Sequence, residues 1–237
     1  MNQKSNFNIN YNPFWNIKNS YILLFLLCFA IITVLTITGL VKNLDNFISD
    51  HFKNIIRNSQ SDLLIIIITT ISDTINLIII GFILTIIKKT RRFGMILLIS
   101  IVAITIVVTY VKPFFAANQS PTTFVFEPLV KLPDKFTLEK DSFMPFAQNY
   151  SYPSNHLAST TAFSFIIGGL IYKRSTHFAK GFMILFPAII GFTKLYLLQQ
   201  YFSDIVGGCI LGLIISSLAI KLLKVGPEGK KNEDVQT

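Results

Sequence analysis

Charge is scarce in this chain: Asp, Glu, Lys and Arg make up 14% of its 237 residues, where an average soluble domain carries about 25%. A chain so poor in charge and 51% apolar is neither a disordered polypeptide nor an ordinary soluble domain. Cysteine is nearly absent. Cys28 and Cys209 are the two present, and both lie inside apolar runs, where a thiol packs as a small hydrophobe. Neither a disulfide framework nor a cysteine metal site is signalled. No alternating strand pattern offers a membrane barrel. No basic stretch is interleaved with base-stacking aromatics in a polar context, so the formal charge of +9 does not point to nucleic acid.

What the chain does have is long apolar runs of the size that crosses a bilayer, about 20 residues. They occupy residues 21–41, 63–87, 94–111, 157–172, 181–198 and 204–223. The first is too long for a signal-peptide core and lacks a small-residue cleavage site after it, so it reads as an uncleaved span. The expected fold is all-α: a polytopic membrane protein with six transmembrane helices. Residues 1–20 form an N-terminal segment, 21–223 the membrane domain and 224–237 a polar tail.

Lys and Arg are unevenly shared between the two sets of connections. One set, with both termini, holds thirteen of them against Glu228, Glu233 and Asp234. The other holds seven, balanced by seven acids. The bias predicts a multi-pass protein of the cell membrane with both termini cytoplasmic. Between the first two spans, Leu44, Phe47, Ile48, Phe52, Ile55 and Ile56 recur at helical spacing. They predict an amphipathic helix, lying on the outer leaflet or packed on the bundle. The long outer connection, 112–156, carries six prolines and nine aromatics. It reads equally as a functional lid or as a loop resting on the membrane surface.

Polar residues inside or at the ends of spans are costly to bury in lipid, and so informative. Three clusters fall at one face. Lys112 ends the third span, with Asn118, Gln119 and Ser120 following; Ser154, Asn155 and His156 open the fourth. Lys194 closes the fifth, with Gln199, Gln200 and then Asp204 opening the sixth. The lysines can neutralise an anion, Ser154 and the amides opening the fourth span can donate to phosphate, and His156 can give a proton to a leaving group. Bland readings stand beside these. Either lysine can snorkel, Ser154 is a good N-cap, and His156 can be an interfacial polar residue. Asp73, midway along the second span, costs about 3 kcal/mol there unless paired or protonated, and Lys194 is a candidate partner. Gly208 and Gly212 form a G-x-x-x-G that suits close packing within the bundle, or dimerisation.

The order and spacing of these clusters resemble the type 2 phosphatidic acid phosphatase superfamily, six-helix membrane enzymes that share their core with vanadium haloperoxidases. The motifs of that family are K-x6-R-P, P-S-G-H and S-R-x5-H-x3-D. Lys112 matches the opening Lys, Pro153, Ser154 and His156 the middle motif, and Asp204 the closing Asp. The resemblance implies phosphate-binding positions at Lys112, Gln119, Ser154, Asn155 and Lys194. It implies a general acid at His156, an orienting carboxylate at Asp204 and a nucleophile at position 200, with no cofactor or metal.

Gln119 stands where the family has Arg, with Ser120 inserted before Pro121. Asn155 replaces the Gly, Lys194 the second Arg, and Gln200 the nucleophilic His. An amide nitrogen is delocalised and not basic near neutral pH, so Gln200 cannot attack phosphorus as an imidazole does. Three functions stay open: a pocket for phosphorylated lipid head groups with impaired catalysis, an active lipid phosphate or isoprenoid diphosphate phosphatase using an altered mechanism, and a lipid transporter. The partners implied are membrane lipids, and a homodimer or a partner membrane protein.

Overall fold

The computed structural model describes residues 17–55, 58–115, 150–172 and 174–223. Among them are eight helices and no β-strand. They are α1 (Asn19–Ile37), α2 (Lys42–Lys53), α3 (Ser59–Ile71), α4 (Thr74–Ile86), α5 (Arg91–Phe115), α6 (Asn155–Ile171), α7 (Thr176–Tyr196) and α8 (Phe202–Leu222). Four of them, α1, α5, α7 and α8, are long and apolar enough to cross a membrane. A belt of exposed apolar side chains, such as Leu23, Leu27 and Val34 on α1 and Ile79, Phe82 and Ile83 on α4, is what lipid contact requires. Water would not tolerate so broad an apolar surface on a monomer.

Two spans depart from the six continuous helices expected. The run 63–87 is not one rod but a pair, α3 and α4, bent by 47° at Ser72–Asp73 and counting as one further span if taken together. Asp73 occupies the N-cap position of α4, with φ −58° and ψ 141°. An extended N-cap is the conformation in which short polar side chains favour a helix start over helix continuation. The run 157–172 becomes α6, only 17 residues long, about 26 Å at helical rise. It is the central element, packed against α5, α7 and α8, and 13 of its residues are buried. Burial inside the bundle replaces exposure to lipid, which is why a polar run of Ser159, Thr160, Thr161 and Ser164 is tolerated there. Pro113 does not end α5, which runs on to Phe115; so close to the terminus a proline removes little more than one backbone hydrogen bond.

The contact between α6 and α8 is set by glycine. A Cβ at Gly208 would run into the Ser154 carbonyl, and one at Gly212 into the Ala158 carbonyl. The G-x-x-x-G face is therefore occupied by α6, inside the bundle. The Ser154 amide donates to the Asp204 carbonyl at 3.1 Å, tying the first turns of the two helices. Tyr152, fully buried, packs its ring against Gly207 and its hydroxyl lies 2.7 Å from Thr33 Oγ1 on α1. That burial pushes its phenol up to about 12.

The amphipathic α2 turns Asp45 and Ser49 inward and leaves Leu44 and Phe47 exposed. Phe52 packs inward against the cluster of Ile65, Ile66, Tyr196 and Leu197.

Candidate functional site

Lys112, Ser154, Asn155, His156, Lys194, Gln200 and Asp204 all sit at one end of the bundle, and none is more than 5% exposed. Antiparallel topology puts them there: the last turns of α5 and α7 and the first turns of α6 and α8 share that end. Gln119 lies outside the described residues, as do Asn118, Ser120 and Pro121.

Neither lysine snorkels. The Lys112 ammonium donates to the Tyr150 carbonyl at 3.0 Å, and Lys194 donates to Gln199 Oε1 at 3.0 Å. These bonds hold the two cations at the buried end of the bundle. Lys194 is drawn to Gln199 by the turn that follows α7. Leu198 takes φ 53°, the left-handed region that costs a branched residue about 1 kcal/mol. The Gln199 amide returns to the Lys194 carbonyl at 3.0 Å. The turn folds Gln200 inward.

Ser154 is the N-cap of α6, accepting from the Leu157 amide at 3.4 Å. His156, in the first turn, is 1% exposed, and its Nε2 lies 3.7 Å from Asp73 Oδ1. The contact found for Asp73 is thus with the imidazole of α6; the sequence offers Lys194 as a candidate partner. The cause is the helix break, which sets Asp73 at the start of α4, against α6. Among the described residues the site holds two ammonium groups, two carboxylates and one imidazole.

Asp204 is fully buried. Its Oδ2 accepts the Tyr201 amide at 2.8 Å, an N-capping bond from the third helical position. Ser151 also hydrogen-bonds this carboxylate, and Lys112 lies within its electrostatic reach. Asp204 Oδ1 and Gln200 Oε1 are buried and receive no hydrogen bond from any described residue. Each such orphan costs about 1–3 kcal/mol if left without a donor.

One residue that sequence reasoning missed is Asp45, on α2. It accepts from the Ser203 amide at 2.9 Å and from the Ser203 hydroxyl at 2.6 Å, and so caps α8 beside Asp204. Burial raises its carboxyl above the ordinary range despite those two bonds. Because the folded carboxyl holds its proton more tightly than the unfolded one, stability falls as pH rises from about 4, the unfolded value, through the folded value. Asp45→Asn is expected to flatten that slope in a thermal-melt series. Asp45→Ala should cost about 1–3 kcal/mol by stranding the Ser203 donors. Melts with the same pH profile in wild type and Asp45→Asn would contradict this.

No group of three His, Cys, Asp or Glu side chains converges to hold a metal ion among the described residues.

Comparison with known proteins gives this arrangement a lineage. The Sulfolobus acidocaldarius protein named undecaprenyl-diphosphatase is 30% identical over 146 residues, which are 61% of this chain and 62% of that relative. The match therefore spans less than two thirds of the relative's length. Among solved structures, the transmembrane PAP2-type phosphatidylglycerolphosphate phosphatase from Bacillus subtilis superposes with a TM-score of 0.65. It is 20% identical, over 88% of this chain and 98% of that one, and at that identity the likeness is one of fold. The model of the PAP2 superfamily matches residues 89–225, from the start of α5 past the end of α8, including every candidate residue except Asp73. This chain is a multi-pass membrane protein of the PAP2 superfamily.

Proposed function

We propose that the chain presents, at the outer face of the membrane, a pocket for phosphorylated lipid head groups in which the covalent histidine step of the family is lost. The reading rests on one observation. Gln200 is buried at the position of the nucleophile while Lys112, Lys194, Ser154 and His156 remain gathered at the same end of the bundle. The pocket keeps cations and donors for phosphate but lacks the imidazole that would attack it. The two relatives are named for a polyprenyl diphosphate and for phosphatidylglycerolphosphate. Both names describe a terminal phosphate on a lipid, and that is the ligand class assigned here. Lys for Arg at position 194 removes a planar, bidentate contact, so affinity should be modest.

The test is binding and phosphate release by purified protein, across lipid monophosphates, lipid diphosphates and their dephosphorylated counterparts. Binding should require the terminal phosphate, and Lys112→Met with Lys194→Met should weaken it about a hundredfold, as expected for two charge-assisted contacts of about 1.5 kcal/mol each. Equal affinity for the phosphate-free lipids would sink the reading.

The outer location follows from the charge bias of the connections. In a background without Cys28 and Cys209, a cysteine at position 119 should be labelled by an impermeant reagent from outside intact cells. Labelling only in inverted vesicles would reverse the orientation.

A second reading, hydrolysis by another route, is favoured by the orphaned oxygens of Gln200 and Asp204 and by the His156–Asp73 contact.

A further inference from the structure

Gln200 and Asp204 are four residues apart and flank Tyr201, the N-cap of α8. Gln200 is 5% exposed and Asp204 not at all. Each aims one acceptor oxygen, Oε1 and Oδ1 respectively, into the interior without a donor from any described residue. The two oxygens cannot satisfy one another, because both are acceptors when Asp204 is ionised. Each needs a donor, and a single water molecule lying between them has two O–H groups to give. A water held by two acceptors keeps its lone pairs for a third centre. A carboxylate touching that water is a general base, and an amide oxygen orients it, as a glutamine does for the attacking water in GTP hydrolysis.

The other half of the requirement is an acid for the leaving group. His156 is the one buried histidine at this end of the bundle. His51, on α2, is exposed, and His177 sits in the first turn of α7, at the opposite end. Asp73 lies 3.7 Å from His156 Nε2, within reach to orient the imidazole. Residue 73 lies outside the span matched by the family model, and it reaches α6 only because the span breaks there.

Building on the head-group reading above, we propose that Gln200 and Asp204 hold a water molecule as the nucleophile, so that a lipid phosphate is hydrolysed by direct attack without a covalent phospho-enzyme. The water oxygen forms its bond to phosphorus as the bond from phosphorus to the leaving oxygen breaks. The water proton passes to Asp204. His156 gives its proton to the leaving oxygen, and Asp73 is a positioning residue that orients the imidazole. Bulk water then takes the proton from Asp204 and restores that of His156, so atoms and charge balance with no further reagent. Lys112 and Lys194 hold the phosphate oxygens.

The experiment uses the full chain in lipid nanodiscs with radiolabelled phosphatidic acid and farnesyl diphosphate, quenched in alkaline detergent to preserve any phosphohistidine. Slow phosphate release with no label on the protein at any time is the expected result. Gln200→Met, which keeps the length but removes the acceptor, should lower turnover on the order of a hundredfold and leave lipid binding and the melting temperature unchanged. Asp204→Asn should do the same to turnover. Asp73→Asn should lower kcat and leave KM for the lipid unchanged, a split that a purely structural residue would not produce. Covalent label in the wild type, or turnover indifferent to Gln200→Met, would overturn the proposal. So would binding without turnover above the His156→Ala background, which leaves the head-group reading standing. Absence of both binding and turnover would remove that reading as well.

Discussion

Replacing Gln200 by histidine is expected to give the protein a covalent phospho-intermediate that the wild type lacks. The new imidazole enters beside Asp204, whose Oδ1 is buried and has no donor among the described residues. A ring N–H would supply that donor, and the carboxylate would in turn fix the tautomer and aim the other nitrogen at phosphorus. The single change should therefore produce label on the protein from a radiolabelled lipid phosphate, and inhibition by vanadate, with weak turnover. The cradle still has Lys194 and Gln119 in place of two guanidinium groups, and so lacks the planar forks that fix a transferring phosphate. Adding Gln119→Arg and Lys194→Arg should raise turnover further, by about ten- to a hundredfold, as expected for one or two restored bidentate contacts. Ser120, inserted before Pro121, limits what Gln119→Arg contributes. A triple variant that binds lipid phosphate yet never carries label would show that the amide is not the missing part.

The largest structural effect is expected at Gly212. A Cβ there meets the Ala158 carbonyl and the Thr161 side chain, and a carbonyl in the central helix cannot rotate away without breaking α6. Gly212→Val should force α6 and α8 apart at a cost of about 3 kcal/mol, the upper end for overpacking a tight core. Because the Ser154 amide is bonded to the Asp204 carbonyl across the same interface, separation also moves His156 away from Gln200 and Asp204. Lipid binding and thermal stability should fall together. A stable variant with altered self-association would instead assign the glycine face to a contact between copies.

Much of this molecule is legible in the sequence because lipid enforces a simple rule, that backbone polar groups must be satisfied within helices. The long apolar runs accordingly became α1, α5, α7 and α8 within a few residues of expectation. The broken span was hidden by the same logic. Apolar residues continue on both sides of Ser72–Asp73, and a hydropathy pattern does not register a change of axis. A local signal was available, since Ser-Asp-Thr is a sequence that starts helices. Motif spacing alone places Lys112, His156, Lys194, Gln200 and Asp204 in order along the chain, and the helices gather them at one end. Asp45 and Asp73 were beyond that reach. The partners of a carboxylate depend on which face of a helix turns inward, and α2 turns Asp45 and Ser49 inward beside Phe52. Tyr152 is similar. Only the fold reveals that the loop before α6 inserts its aromatic ring between α1 and α8.

The joint between α3 and α4 has a mechanical consequence. A straight helix meets a thinner bilayer by tilting as a whole, at a small cost for each ångström of mismatch. A rod bent by 47° has a softer response, because opening or closing the angle changes its end-to-end height while both halves keep their hydrogen bonds. The compliance is concentrated at Ser72 and Asp73, and Asp73 is the group that faces His156. An angle set by hydrocarbon thickness would change the carboxylate–imidazole separation with no ligand involved.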